Sequence, residues 1–405
     1  MRPTDVLRSR RVLVIALLGF SSGLPLLLTG QTLTAWMTAE GVSLTSIGLF
    51  AMVGLPYTFK WAWAPLLDRY RLPFLGRRRG WLLVLQLALM AAIAFMGSLD
   101  PRAEPALMAA AAVAVAFLSA SQDVVIDAFN ADTLEPEERA AGGATYLTGY
   151  RAAMLATGAL ALALADLTSW RAIYWSFAGL MLVGVAGTLV AREPPEAEAR
   201  PASLADAVWR PVATLLRQRS VLVVLAFVAL YKFGDHVALH LIVPFLKSGA
   251  GFSFTTIALH YHLLGFAGTL AGGLLAGPLV GQVGLRRALV LFGGLQAAAN
   301  LLWAVLATAA GSQPLLVTAV VCDNLANAIG SAAFVAYLMS RCDRAFSATQ
   351  FALLTSLSSI GGRVFTFAGT ALQAAAGWPA VWLATAAVAV PALLLVRWLP
   401  ISART

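Results

Sequence analysis

Two aspartates stand one helical turn apart in a stretch of the sequence that is otherwise apolar. Ser119, Asp123 and Asp127 follow the spacing i, i+4 and i+8, which places them on one face of a helix. Because neighbouring carboxylates repel one another and burial disfavours their charged form, such a pair can bind and release a proton. The same carboxylates could instead pair with Arg151 or Arg363 and hold helices together. The sequence leaves both interpretations open, a proton or substrate site and a structural ion pair.

Charged residues recur in the apolar stretches along the whole chain. Each would cost about 2.5–3.5 kcal/mol on membrane-insertion scales if it faced lipid. We therefore expect all of them to face the protein interior or a wet cavity, where a transporter keeps its substrate and proton sites. Four are basic and four are acidic: Lys60, Asp123, Asp127, Arg151, Lys232, Asp235, Asp323 and Arg363.

Polar and aromatic side chains share helix faces with these charges. Lys232 and Asp235 are three residues apart and can bridge within one helix. Such an inventory suits a roomy polar cavity, in which aromatic rings stack on sugar faces and cations hold carboxylates. We predict proton coupling by four carboxylates: Asp123, Asp127, Asp235 and Asp323. The predicted substrate-binding residues are Tyr57, Lys60, Trp61, Tyr146, Tyr150, Arg151, Lys232, Asn324, Asn327 and Arg363.

The patterns that accompany metal or enzymatic chemistry are missing from the sequence. No His-Glu-x-x-His spacing occurs, and His260 and His262 point to nearly opposite sides of a helix. No glycine-rich phosphate loop appears, so ATP is not expected to drive the protein. We predict no enzymatic activity, no metal and no cofactor, with the proton gradient as the energy source. No role is assigned to the four histidines: His236, His240, His260 and His262.

The composition indicates which elements must position these groups. Of the 405 residues, 60% are hydrophobic and 12% are charged, whereas soluble domains carry about 25% charged residues. We therefore predict an all-α membrane protein with twelve transmembrane helices, each needing about 20 apolar residues. The predicted spans are 12–36, 46–67, 80–98, 106–130, 140–165, 171–191, 220–246, 254–280, 286–309, 314–339, 348–374 and 379–398. Tryptophans near the span ends predict an interfacial aromatic belt: Trp36, Trp170, Trp175, Trp378 and Trp382.

The net charge of +9 follows the topology of these spans. With a cytoplasmic N-terminus, 21 of the 28 Lys and Arg residues fall in cytoplasmic segments. Only Arg102, Arg171 and Lys247 fall on the opposite side. This split is the positive-inside rule for an even number of helices, so both termini are predicted to be cytoplasmic. The basic excess needs no nucleic-acid partner, and the lipid bilayer is the expected surrounding.

The chain contains one design twice. Residues 41–50 (GVSLTSIGLF) and 251–260 (GFSFTTIALH) match at five of ten positions, at an offset of 210. Weaker matches keep the same order along the chain, and a repeated six-helix unit is typical of parallel-repeat transporters. We predict two pseudo-symmetric halves, an N-terminal bundle over 1–191 and a C-terminal bundle over 220–405. A cytoplasmic linker rich in proline and charge joins them over 192–219.

The segment after the second span carries Asp68-Arg69 and then Gly76-Arg77-Arg78-Arg79. It resembles the loop 2–3 signature of the major facilitator superfamily, stretched by several residues. That resemblance implies the major facilitator fold and gating roles for Asp68, Arg69, Arg77 and Arg78. Asp68 would pair across the cytoplasmic interface of the halves and stabilise the outward-open state. It could also simply lie at the end of its helix, although an acid is unfavourable beside a helix C-terminus.

Several longer motifs resemble the AmpG-type muropeptide permease family. They include GFSSGLPLLLTGQTLTAWM at 19–37, YTFKWAWAPLLDRY at 57–70, SASQDVVIDA at 119–128, LYKFGD at 230–235 and FSATQFALL at 346–354. The resemblance implies proton-coupled import of anhydromuropeptides (GlcNAc-anhydroMurNAc peptides) through the bacterial inner membrane for cell-wall recycling. It also implies the signal for β-lactamase induction, and hence antibiotic resistance, in species that have that circuit. The alternative is a facilitator for another polar solute, such as a nucleotide-linked acyl donor, a sugar or a peptide. A monomer is expected.

Overall fold

The computed structural model describes residues 10–133, 139–194, 212–218, 220–342 and 347–401. Their regular secondary structure is helical throughout, and no strand occurs within these ranges. By their contacts the described residues fall into two compact units. The first lies within Met1–Val42 and Val53–Arg200, and the second within Ser43–Met52 and Pro201–Thr405. Most of the predicted linker (195–211 and 219) is outside the described residues.

Six helical segments, α1 to α6, make up the first unit, except that the part of α2 before Val53 belongs to the second unit. Helix α1 spans Arg10–Leu28 and continues as Gln31–Ala39. Segment α2 is a run of short helices: Leu44–Leu49, Phe50–Gly54, Leu55–Phe59, Lys60–Ala62 and Ala64–Arg69. The others are α3 (Arg77–Gly97), α4 (Pro105–Thr133), α5 (Arg139–Leu155, Ala156–Leu160 and Ala161–Ala165) and α6 (Trp170–Leu180 and Leu182–Val190).

The second unit continues with α7 to α12. Helix α7 comprises Val221–Tyr231, Phe233–Pro244 and Phe245–Gly249, and α8 comprises Phe254–Thr256, Ile257–Leu264 and Gly265–Val283. Helices α9 and α10 are Leu285–Thr308 and Gln313–Arg341. A continuous run, Ser347–Leu395, bends at Gly377, where φ is 79°. We name its parts before and after this glycine α11 and α12.

Ten helices in the described ranges are long and apolar enough to cross a membrane. The predicted second span is not among them, because α2 breaks into pieces of at most six residues. The predicted eleventh and twelfth spans lie in one run, of which a single long stretch, Thr366–Trp398, qualifies. The protein is therefore an all-α, multi-pass membrane protein, with ten of the twelve predicted crossings confirmed as long apolar helices.

Helix packing inside the two units follows one plan. In the first unit α1 packs on α5 and α6, α3 packs on α4 and α6, and α2 packs on α4. In the second unit α7 and α9 each pack on the long α11–α12 run, and α8 and α9 pack on α10. Helices α4 and α10 are both 29 residues long. The repeat predicted from the offset of 210 is thus present as a repeated set of helix contacts.

The repeat extends to individual hydrogen bonds. Ser43 precedes the first piece of α2, and its Oγ accepts a hydrogen bond from the Ser46 N–H at 3.2 Å. Ser253 precedes α8 and accepts from the Thr256 N–H at 3.1 Å. Both serines occupy the matching position of the two decapeptides, because an oxygen there satisfies an N–H that has no partner within the helix.

The predicted aromatic belt is wrong for three of its five tryptophans. Trp36 and Trp170 are 4% and 8% exposed and stack on each other with ring centroids 6.2 Å apart. Trp382 is fully buried and packs against Phe245. Trp175, by contrast, is 56% exposed, as a belt residue should be. Span ends attract tryptophan for two reasons, headgroup contact and helix packing, and position in the sequence does not separate them.

Glycines bring the backbones of α1 and α5 into direct contact. A Cβ atom on Gly19 would lie 2.3 Å from the carbonyl oxygen of Tyr146, and one on Gly23 would lie 2.4 Å from that of Tyr150. On the facing helix, a Cβ on Gly149 would lie 2.1 Å from the Ala16 carbonyl oxygen. Small residues allow this approach, which is a principal source of helix association in lipid.

We predict that Gly149→Ala destabilises the first unit by about 1–3 kcal/mol, because the added methyl group meets backbone that cannot rotate away. The measurement is the thermal unfolding midpoint of the purified protein in detergent. Gly179→Ala is the matched control, since a Cβ at that helical glycine meets nothing within 4 Å. Equal midpoints for the two variants would show that α1 and α5 are not packed as described.

Candidate functional site

The polar stripe of α4 meets a lysine from α2. The Nζ atom of Lys60 lies 3.5 Å from Oδ2 of Asp127, and their side chains are 35% and 59% exposed. Lys60 begins a short 3₁₀ turn, Lys60–Ala62, so the helix is irregular where the lysine leaves it. Non-helical backbone at membrane depth is tolerated where it lines a cavity. The exposure of this pair places it at an accessible surface of the first unit.

Asp123 is held differently from Asp127, although it is one turn away on the same helix. Its Oδ1 accepts a hydrogen bond from the Ser22 hydroxyl at 2.5 Å. The Ser22 oxygen is also 2.8 Å from the Tyr146 hydroxyl. Among the described side chains, no Lys or Arg nitrogen lies within 4.0 Å of Asp123. This carboxyl group therefore has neutral partners, and binding a proton would remove a buried negative charge.

Ser22 is a site residue that sequence reasoning missed. It is 1% exposed and lies 101 positions before its carboxyl partner. The neighbouring Ser21 donates to Oε1 of Gln122 at 2.9 Å. This second hydrogen bond links α1 to α4 directly beside the one between Ser22 and Asp123. The available signal was the pair of serines between Gly19 and Gly23, inside an apolar helix. We name Lys60, Asp127, Asp123, Ser22 and Tyr146 the N-terminal cluster.

The other predicted residues of the first unit lie close to members of this cluster along the chain. Tyr150 packs beside Tyr146, with ring centroids 6.1 Å apart and the ring planes tilted by 37°. Trp61 follows Lys60 in the 3₁₀ turn and is 38% exposed. Tyr57 belongs to the preceding short helix. Arg151 is half-buried on α5, and no carboxylate in the described part of the chain lies within 4.0 Å of it. The alternative pairing of the α4 carboxylates with Arg151 is therefore not observed.

In the second unit a lysine and a carboxylate pair as the sequence spacing predicted. Lys232 Nζ is 2.5 Å from Asp235 Oδ2, and both side chains are 12% exposed. Lys232 separates two helical pieces of α7, so Asp235 falls in the first turn of the next piece. An acid is favourable there, because the free N–H groups at a helix start carry partial positive charge. Lys232 also donates to Asn327 Oδ1 at 3.4 Å.

Asp323 lies on α10, one turn before Asn327, and has a neutral partner. Its Oδ1 accepts from Gln296 Nε2 of α9 at 2.8 Å. Within the described residues no lysine or arginine pairs with it. Gln296 is 8% exposed and was not singled out in the sequence. We name Lys232, Asp235, Asn327, Asp323 and Gln296 the C-terminal cluster.

Asn324 is not brought together with Asn327, although the sequence placed both in the substrate site. Its Oδ1 accepts from Thr269 at 3.1 Å and its Nδ2 donates to the Val320 carbonyl at 2.9 Å. It packs directly on Gly265 of α8. Asn324 therefore joins α8 to α10. The side chain of the remaining predicted residue, Arg363, is outside the described part of the structure.

Comparison with known sequences decides the family. The profile described as Major Facilitator Superfamily matches residues 15–366. The chain belongs to this superfamily. It is accordingly a membrane transporter and not an enzyme, in agreement with its relatives, which are named permeases and transporters.

Two relatives and two solved structures are similar to this transporter over nearly its whole length. The anhydromuropeptide permease of Escherichia coli K12 is 44% identical over 393 residues, covering 96% of this chain and 80% of the relative. A putative AmpG transporter of Rickettsia conorii is 29% identical over 409 residues, covering 98% and 99%. A nucleoside transporter (TM-score 0.70, 14% identity, 98% and 99% covered) and a D-xylose–proton symporter (TM-score 0.71, 13% identity, 97% of each covered) share the fold.

The predicted gating residues lie at the ends of α2 and the start of α3. Arg78 is 6% exposed, and its Nε is 3.0 Å from Asp132 Oδ2 at the end of α4. Glu193, just after α6, accepts the backbone N–H groups of Arg78 and Arg79 at 2.7 and 3.1 Å. These bonds tie α3, α4 and α6 of one unit together. Arg77 begins α3, and the side chains of Asp68 and Arg69 are outside the described part.

The histidines do not assemble a metal centre in the described residues. His236 Nε2 is 3.5 Å from the Ser358 hydroxyl, and His240 Nδ1 is 2.9 Å from the His236 carbonyl oxygen. His260 Nδ1 is 3.0 Å from the Thr256 carbonyl oxygen. The ring of His262 meets that of Tyr261 edge-on, with the centroids 5.2 Å apart. Three of the four histidines thus contact neighbours on their own or an adjacent helix through a ring nitrogen.

We predict that Glu193→Ala lowers the stability of this transporter by about 1 kcal/mol, the usual value of a helix cap. The carboxylate meets the positive end of α3 and satisfies two of its N–H groups, which alanine would leave without partners. Thermal unfolding in detergent measures the loss. Glu193→Gln keeps one acceptor oxygen and should fall between the wild type and Glu193→Ala; an unchanged midpoint for both would refute the cap.

Proposed function

We propose that this transporter imports anhydromuropeptides from the periplasm into the cytoplasm, coupled to the inward flow of protons. The similarity to the Escherichia coli anhydromuropeptide permease carries the proposal, because 44% identity extends over 96% of this chain. The matched region extends over 393 residues and therefore spans both halves, rather than a single generic motif. The setting is the bacterial inner membrane, with both termini cytoplasmic as the distribution of Lys and Arg predicts, and a monomer as the working unit.

The side chains of the two clusters suit a ligand with sugar rings and peptide carboxylates. The rings of Tyr146 and Tyr150 offer flat apolar faces beside the partly exposed Lys60. Sugar rings stack on such faces, and a lysine can donate to a carboxylate. A ligand carboxylate that displaced Asp127 from Lys60 would exchange one ion pair for another. The N-terminal cluster can therefore bind an anionic ligand if the displaced Asp127, whose side chain is 59% exposed, is solvated or takes up a proton.

Asp123 and Asp323 are the proposed proton carriers among the four predicted carboxylates. Asp127 and Asp235 are each within ion-pair distance of a lysine. Asp123 and Asp323 instead receive hydrogen bonds from the neutral Ser22 and Gln296. A carboxylate without a cationic partner is costly as an anion at membrane depth. Proton binding at these two groups would neutralise the transport path, and proton release would recharge it.

Purified protein in proteoliposomes tests the proposed function. When an inward proton gradient is imposed across the liposome membrane, labelled GlcNAc-anhydroMurNAc tripeptide should accumulate inside the liposomes. A protonophore should abolish this accumulation. Protein-free liposomes and liposomes containing denatured protein are the controls. Absence of uptake under these conditions, together with driven uptake of another polar solute such as a peptide or a sugar, would establish the alternative facilitator instead.

We predict that Asp123→Asn abolishes gradient-driven accumulation and leaves exchange of labelled for unlabelled substrate intact. Asparagine keeps the hydrogen-bonding shape of the side chain but cannot carry a proton. Counterflow, measured without a proton gradient, reports this exchange. The protein must carry substrate across the membrane for counterflow to occur, but no proton gradient has to drive the transport. Asp100→Asn, in an exposed turn, is the matched control and should behave as wild type. Undiminished accumulation by the Asp123 variant would remove this residue from coupling.

A further inference from the structure

A cavity of 330 Å³ opens in the second unit beside the Lys232–Asp235 pair. Its walls come from α7, α10 and the first part of α11. Of the described residues that line it, all except Leu239 and Phe334 carry a polar side chain. The polar residues are Lys232, Asp235, His236, Asn327, Ser331, Thr355, Ser358 and Ser359. Five of these eight were not predicted as site residues from the sequence.

The charged pair in this cavity has hydrogen-bonding capacity to spare. An ammonium group has three donors, and two of those on Lys232 are taken up by Asp235 and Asn327. The lysine bonds one carboxylate oxygen of Asp235, Oδ2. Within the described part of the chain, no partner donates to the other oxygen, Oδ1. One cationic donor and one anionic acceptor therefore remain side by side.

Asn327 adds a second donor next to the lysine. Its Oδ1 accepts from Lys232 and, at 2.9 Å, from the Ser331 hydroxyl. The opposite end of the side chain is the Nδ2 group, which has no hydrogen-bond acceptor among the described residues. The two hydrogen bonds to Oδ1 fix the orientation of the Asn327 amide. Its Nδ2 group is therefore held in position to donate to a ligand. The cavity thus presents two donors, Lys232 Nζ and Asn327 Nδ2, beside one carboxylate oxygen.

Hydroxyl groups on α11 line the opposite wall. Ser359 donates to the Thr355 carbonyl at 3.1 Å, so its oxygen lone pairs can still accept. Ser358 is 3% exposed and lies 3.5 Å from Nε2 of His236. These hydroxyl groups add acceptors to the lining of the cavity, and a ligand ammonium group needs more acceptors than Asp235 alone supplies.

We propose that this cavity binds an α-amino-acid group whose ammonium and carboxylate are both free. The ligand carboxylate accepts from Lys232 and Asn327, and the ligand ammonium donates to Asp235. An α-amino acid carries both charges on one carbon atom, and the cavity offers complementary charges in direct contact. A neutral sugar would offer no opposite charges to the spare donor of Lys232 and the spare oxygen of Asp235. A ligand with a carboxylate alone would be repelled by Asp235.

The assignment rests on the proposed function and specifies which part of the substrate enters the second unit. A peptide chain separates its terminal charges, so a free residue or a residue with an amino-acid group on its side chain is required. A muropeptide stem that ends in diaminopimelate has such a group. The N-terminal cluster would bind another part of the same molecule.

Equilibrium binding to purified full-length protein in lipid nanodiscs tests the site. Three labelled probes are compared: the anhydro-disaccharide tripeptide ending in diaminopimelate, the same molecule acetylated on its free amine, and the peptide-free anhydro-disaccharide. We expect the unmodified tripeptide to bind at least about tenfold more tightly than its acetylated form, the usual weight of one charge-assisted hydrogen bond.

Asn327→Ala and Asn324→Ala form a matched pair of variants on the same helix. Asn327→Ala should weaken binding of the unmodified tripeptide and leave the peptide-free disaccharide unchanged. Asn324→Ala should leave the preference for the unmodified tripeptide intact, because its side chain bonds α8 and does not line the cavity. Equal reduction by both variants would show a structural effect and overturn the site.

The outcomes separate this site from the proposed function. Equal affinity of the unmodified and acetylated tripeptides overturns the amino-acid site while leaving muropeptide transport in place. Absence of binding by all three probes overturns the proposed substrate and the amino-acid site with it. Tighter binding of the unmodified tripeptide, lost selectively in Asn327→Ala, establishes the site.

Discussion

The cost of an unpaired charge inside an apolar helix bundle governs this structure. Water is not available there to solvate a carboxylate or an ammonium group, so each charge needs a partner or a proton. The two units contain the same arrangement of charges. One carboxylate pairs with a lysine, Asp127 with Lys60 and Asp235 with Lys232. Another carboxylate in each unit has, among the described side chains, a neutral hydrogen-bond donor and no cation, the donor being a serine in one unit and an amide in the other.

Both lysines stand where a helix is interrupted. Lys60 starts a 3₁₀ turn in the broken α2, and Lys232 separates two pieces of α7. Interrupted helices expose backbone groups that need polar surroundings, and such breaks in membrane proteins lie against cavities. An adjacent cavity therefore accounts for both the irregular backbone and the lysine at each of these positions. Elsewhere the helices pack closely: glycines on α1 bring α5 within backbone contact, which fixes the tyrosine hydroxyl beside Ser22 and Asp123.

How far the site could be predicted depended on the separation of the partners along the chain. The Lys232–Asp235 pair followed from helical spacing alone, because residues three apart share a helix face. Ser22 was out of reach, since it meets Asp123 only through the packing of α1 on α4. Asn324 and Asn327 looked equivalent, yet they lie on sides of α10 that face different helices. Positions three apart on a helix still differ in direction by about 60°, and here that difference is enough for one asparagine to bond α8 while the other lines the cavity.

The sequence by itself determined the membrane setting, the repeated six-helix design and the family, since apolar length, internal offset and motif order are properties of the chain. It also identified every carboxylate of the two clusters, because a charge in an apolar stretch is conspicuous wherever it points. Apart from the Lys232–Asp235 pair, only the tertiary structure decided which of these charges has a cation and which has a neutral partner. The neutral partners lie 2.5 and 2.8 Å away on other helices, where close packing, and not local spacing, sets the distance.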